Sequence, residues 1–209
     1  MGKGKKRRRT GGSGIVEDED SSAGAGRSTR GPPVATTSGR LCGSVPNDEW
    51  QTMRSAWEAV SDHFVHWRQK RIWMPFYYDG KCADHLRTLG FKDVVHNDED
   101  FFQRVQDSKF LASVDFIWDN PPYTTPETKE RVLRALATSG KAFAMLLPIS
   151  VLHVEFVRQI FDMSTVQVII PRRVQVCKSG GSSLPFKYLC WFCVGAQLPR
   201  DVIFVDDAE

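Results

Sequence analysis

The stretch Val114-Asp115-Phe116-Ile117-Trp118-Asp119-Asn120-Pro121-Pro122-Tyr123 constrains the fold of this chain more than any other. Its apolar core, Phe116-Ile117-Trp118, is β-branched and aromatic and is bounded by breakers, the pattern of a buried strand. Pro121 and Pro122 then stop the strand, because each fixes its own φ and has no N–H to give to a ladder. Each also drives the residue before it towards extended backbone, so Asn120 and Pro121 are both stiffened. The predicted product is a rigid loop at the carboxyl end of a buried strand. In open α/β sheets, ligands bind at such ends.

The flanking sequence predicts the same class of fold. Arg71–Gly80 reads as a strand and then a turn, followed by a helix over Lys81–Leu89 that Gly90 stops. Val94-Val95 is a short strand core, and a helix follows over Glu99–Asp107, with Asn97 or Asp98 as caps. Thr124 or Thr125 can cap a helix that opens on Pro126, a favoured first position, with Val132, Leu133, Leu136 and Ala137 on its apolar face. Lys141–Pro148, Thr165–Ile170 and Phe186–Val194 are apolar strands, with a helix expected over Ser150–Phe161. At the start of the domain, Trp50, Met53, Trp57, Val60, Phe64 and Val65 recur at helical spacing behind the caps Asn47 and Asp48. Strands alternating with helices imply parallel pairing, hence an α/β domain with a doubly wound, mostly parallel, Rossmann-like sheet.

Composition divides the 209 residues into a tail, 1–46, and a domain, 47–209. The tail is rich in Gly, Ser, Thr and charge and nearly free of large apolar side chains, a composition predicted to be disordered. It holds nine Lys/Arg against four Asp/Glu, and the domain 19 against 21. Nucleic-acid affinity is therefore expected from the tail or from a local patch. The run Lys3 to Arg9 reads as a nuclear-import or nucleic-acid-binding tract, with a merely solvated charge run as the alternative. No apolar run is long enough to span a membrane. The five cysteines show no disulfide framework, which predicts a reducing, intracellular setting, nuclear or cytoplasmic. Cys190 and Cys193 lie in a strand-like run, where neighbouring positions alternate faces, so a structural role is expected for them rather than a metal site.

The loop after Trp118 suits one chemistry in particular. An exocyclic amine on an aromatic ring is a poor nucleophile, because its lone pair is delocalised. Two fixed acceptors, the side-chain oxygen of Asn120 and the carbonyl of Pro121, can hold its hydrogens and favour a more tetrahedral nitrogen. Tyr123 can stack on a flipped-out base. The plainer alternative is a Pro-Pro turn with no chemistry.

Asn120-Pro121-Pro122-Tyr123 resembles the catalytic tetrad (Asp/Asn/Ser-Pro-Pro-aromatic) of amino-methyltransferases that use S-adenosyl-L-methionine, and in particular the N6-adenine methyltransferases of DNA and RNA. The resemblance spans about Asp48–Gly195 and implies a Rossmann-like methyltransferase fold. It further implies catalytic roles for Asn120, Pro121, Pro122 and Tyr123, with Asp119 as a candidate proton acceptor. Trp50 and Thr52 match an acid-aromatic-x-Thr segment that touches the cofactor in this family. Pro75, Phe76 and Gly80 match the turn at the methionine part of the cofactor; Met74 stands where an acid is usual, and Asp79 is the candidate for a displaced carboxylate. Asp100 and Phe101 match the segment at the cofactor's adenine; by the logic of doubly wound folds Asp98 or Asp100 could also bond the ribose hydroxyls, with helix capping as the equal alternative. Asn-Pro-Pro-Tyr also occurs in methyltransferases acting on protein glutamine. A third reading is a degenerate methyltransferase fold serving as a nucleic-acid-binding or scaffold subunit.

Arg172, Arg173, Lys178 and Lys187 flank a Gly/Ser-rich segment predicted to be a mobile basic loop that grips phosphates, with a long solvated hairpin loop as the alternative. No sizeable target-recognition domain is visible, so a protein partner supplying specificity is an expectation; a membrane partner is not.

Overall fold

In the computed structural model, the described residues are 50–122, 125–178 and 183–206. The tail, residues 47–49 with the expected caps Asn47 and Asp48, Tyr123, Thr124, and residues 179–182 and 207–209 lie outside them. Among the described residues, ten strands and six α-helices follow in chain order: β1 Trp50–Thr52, α1 Arg54–Ser61, β2 Arg71–Trp73, α2 Lys81–Thr88, β3 Asp93–Val95, α3 Phe101–Arg104, α4 Ser108–Ser113, β4 Phe116–Asp119, α5 Pro126–Ser139, β5 Ala142–Pro148, α6 Glu155–Ile160, β6 Val166–Pro171, β7 Val174–Lys178, β8 Ser183–Phe186, β9 Leu189–Val194 and β10 Val202–Val205. Among the described residues, no helix is long and apolar enough to cross a membrane.

The main sheet has the order β10-β6-β9-β5-β4-β2-β3. β9 runs antiparallel to β5 and β6, and the other pairs are parallel. Helices cover both faces. Trp57, Val60 and Phe64 from α1 and its 3₁₀ extension, with Leu86 from α2, pack on Phe116, Trp118, Leu146 and Trp191. On the other face, Phe101, Phe110, Val132, Leu136 and Val157 pack on Ile117, Phe143, Met145 and Phe192. Central strands buried on both sides must read as continuous apolar runs, as β4, β5 and β9 do. The architecture is therefore mixed α/β with a mostly parallel seven-stranded sheet, compatible with a Rossmann-like fold. Behind the carboxyl end of β4, Trp118 is wedged among Trp57, Phe64 and Phe91 at ring-centroid distances of 4.5–5.4 Å, which leaves Asp119 little freedom to move.

Four expectations need correction. Trp50 and Thr52 belong to a strand and not to the first helix, which starts at Arg54; β1 pairs antiparallel with β7, Thr52 opposite Val176. The basic segment 172–187 contributes the β7–β8 pair of a second sheet, β1-β7-β8; residues 179–182, at the centre of the expected mobile loop, lie outside the described residues. The helix expected over Glu99–Asp107 breaks into α3 and α4, because Asp100 and Asp107 each cap a helix of their own. Ser150–Phe161 likewise divides into a 3₁₀ turn and α6. Thr125 caps α5 as its hydroxyl accepts from the Thr128 N–H, with Pro126 first in the helix. Cys190 and Cys193 are buried free thiols.

Candidate active site

The chain leaves β2 for β3 on one side and returns to β4 on the other. The loops after β2 and β4 therefore open a crevice at the carboxyl edge of the sheet, the switch point at which α/β proteins bind ligands. Asp119, the last residue of β4, is only 2% exposed and ties the two loops together. Its Oδ2 accepts the Phe76 N–H at 2.6 Å and its Oδ1 the Asn120 N–H at 2.8 Å. Burial pushes this carboxyl up to about 8, against the two N–H bonds, which favour the ionised form.

Asn120 follows, and its two amide atoms differ in kind. Its Nδ2 donates to Thr52 Oγ1 at 2.8 Å. Thr52 is 1% exposed and is held by the β1–β7 pairing. Its Oδ1 is buried and has no hydrogen-bond partner among the described residues. A buried acceptor left unpaired costs about 1–3 kcal/mol and is rare enough to call for a reason. Because Thr52 holds the amide by its nitrogen, the oxygen is the atom left to receive a hydrogen from elsewhere. Pro121 is buried and Pro122 half-buried beside it.

The loop after β2 brings Pro75 and Phe76 into the core beside Asp119. Gly80 opens α2 at φ +83°, where an added Cβ would lie 3.3 Å from Tyr77 Oη. The Asp79 carboxylate accepts from Gln51 Nε2 at 2.8 and 3.0 Å and from the Lys81 N–H, and pairs with Lys81 Nζ at 2.8 Å. Burial would raise Asp79, but its contacts with Lys81 and Gln51 hold it below the ordinary value. Asp79 is thus committed to joining the second sheet to this loop. Met74 is fully buried, and its carbonyl accepts from His96 Nδ1 at 2.8 Å. Burial lowers His96, so the imidazole is neutral with its proton on Nδ1.

After β3, Asp98 is exposed. Asp100 is 8% exposed: its Oδ1 caps α3 through the Gln103 N–H at 2.9 Å, and its Oδ2 is buried without a hydrogen-bond partner among the described residues. Phe101 is spent in the core, against Trp73 and Phe76, and presents no free ring face. Arg172, Arg173 and Lys187 are exposed near the ends of the second sheet. The backbone of Lys178 pairs with Trp50; the side chains of both, like all of Tyr123, lie outside the described residues.

Two residues at the site carried no sequence signal. Gln51 joins Asp79 to β1 from within a three-residue strand whose partner, β7, lies more than a hundred residues away. Cys82 sits in the first turn of α2, where burial, and then the charges of Asp119 and Asp79, push its thiol well above the ordinary value and keep it protonated. No protein-family model matches the chain, and no curated protein matches it in sequence.

Proposed function

We propose that this chain transfers a methyl group from S-adenosyl-L-methionine to an exocyclic amine, adenine N6 in DNA or RNA. The observation that carries this reading is Asn120 Oδ1, a buried acceptor oriented by Thr52 and left without a partner. It is the atom an incoming amine N–H would meet. The Pro121 carbonyl supplies the second acceptor, and the prolines fix the distance between the two.

One observation fits the cofactor: the orphaned Asp100 Oδ2 can accept from an amino group or a hydroxyl. When bound, S-adenosyl-L-methionine supplies an electrophilic methyl group. The chain's own contribution is positioning: Asn120 orients the amine, Thr52 orients Asn120, and Asp119 braces the loops. Both Asp119 oxygens already accept backbone N–H groups, so Asp119 is a positioning residue and the amine's proton leaves to solvent after transfer.

A glutamine amide also offers two N–H groups to such a pair, so the test must separate substrates. Incubating the protein and cofactor with DNA, RNA and glutamine peptides, followed by mass spectrometry of nucleosides and peptides, should yield N6-methyladenine. Methylation confined to peptides would move the reading to protein substrates. Cofactor that fails to bind at all would support the scaffold alternative.

A further inference from the structure

We infer that a groove at the carboxyl ends of β6 and β10 stacks an unpaired base that flanks the target, which makes single-stranded or locally opened nucleic acid the substrate class. This rests on the proposed nucleic-acid reading of the active site. The groove has a volume of about 380 Å³ and a floor of Ile149, Ile170 and Pro171. Tyr188 and Phe204 line it, and each is 77% exposed. Tyr188 sits at φ +63°, a region in which a bulky residue is an outlier. Its carbonyl accepts the Ile149 N–H at 2.7 Å, which holds that backbone in place. The exposed ring gains no burial to offset the strain, so packing does not account for it. Phe204 projects from β10, an edge strand, equally uncovered.

Charge selects the occupant. Arg172 and Lys187 line the same groove, opposed by Asp206, and the exposed Arg173 adds to them. Cations beside open aromatic faces are what a single strand requires, since phosphates meet the cations and bases stack on the rings. In a duplex those base faces are already stacked on their neighbours. The groove also lies on the same edge of the sheet as Asn120. Strands stand about 4.8 Å apart, so the ends of β6 and β10 lie three and four spacings from β4, roughly 15 and 20 Å. One strand can therefore reach both sites a few nucleotides apart.

The test measures anisotropy of the full-length protein, without cofactor, on a labelled pyrimidine single strand lacking adenine and on a G·C duplex of equal length. The single strand should bind more tightly. Tyr188→Asn, which tolerates the left-handed backbone, and Phe204→Ser should each weaken single-strand binding roughly 5- to 150-fold, the loss of one stacked base. Both should leave the melting temperature and duplex binding nearly unchanged, and Tyr188→Phe should bind as the native chain does. Arg172→Gln or Lys187→Gln should reduce the salt slope by about one. Equal binding of strand and duplex, or native affinity in both Tyr188→Asn and Phe204→Ser, would overturn the inference. Because the strand contains no adenine, this result is independent of methyl transfer, so failure of the active-site reading would register separately.

Discussion

Asn120 is where local chemistry and fold meet. The sequence places an amide between a buried strand and two prolines, but it does not say which amide atom faces a ligand. In the structure Nδ2 faces Thr52 Oγ1, on a strand that sequence pattern reads as part of a helix, which leaves Oδ1 for a ligand. Thr52→Val removes the acceptor while keeping shape, freeing the amide to rotate. Single-turnover methyl transfer should then fall about fivefold, the equivalent of one net hydrogen bond of about 1 kcal/mol. Thr52→Ser should retain most of the rate, and equal rates in the two variants would remove Thr52 from the positioning role. Asp119 makes a prediction about pH. Its folded pKa of about 8 lies above its ordinary 3.8, so between these values the folded protein holds a proton that the unfolded chain has lost. Asp119's contribution to stability must therefore fall as pH rises through this window and level off above it, where the raised, buried thiols of Cys82, Cys190 and Cys193 act with the same sign. Burial lowers the pKa values of His85 and His96, so their effects lie at more acid pH. From pH 7 to 8.5 the urea midpoint should drop by the equivalent of about 1 kcal/mol. A flat or rising midpoint would contradict a neutral, buried Asp119.

At the level of elements, the parallel core was legible because its signals are local. β4, β5 and β9 are apolar runs ended by Pro, Gly or polar residues, and Thr125-Pro126 announces α5 on its own. The second sheet was not legible. β1 is three residues long and draws its pairing from β7, while the periodicity of Trp50, Met53 and Trp57 imitates a helix. β10, with its alternating half-exposed pattern, lies past the last strong apolar run and was missed for the same reason. At the site, Asn120, Asp119 and Asp100 were legible, whereas Gln51 and Cys82 act only through long-range contacts. Gly80 tests the loop between β2 and α2. Gly80→Ala forces a Cβ into left-handed backbone, at about 1–2 kcal/mol, and crowds Tyr77 Oη. The melting temperature should fall by several degrees and cofactor affinity should weaken with it. A variant with native stability and affinity would mean that the loop is not held as described.

At the scale of the molecule, charge is divided unequally between two regions of the chain. The domain from residue 47 onward carries a slight excess of acid, and the first 46 residues a clear excess of base. Deleting residues 1–40 removes nine basic side chains and little apolar surface. It should therefore leave the melting temperature nearly unchanged and flatten the salt dependence of nucleic-acid binding, while an unchanged slope would restrict the tail to another role. The proposed activity depends on one oxygen, Asn120 Oδ1. Its most direct test is single-turnover formation of N6-methyladenine by the native chain and by Asn120→Ala, beside calorimetric titration of each with S-adenosyl-L-methionine. The predicted result is a fall in transfer of about 10²–10³-fold, as for loss of a positioned transition-state hydrogen bond, with cofactor affinity nearly unchanged. Full methyl transfer by Asn120→Ala would contradict the claim.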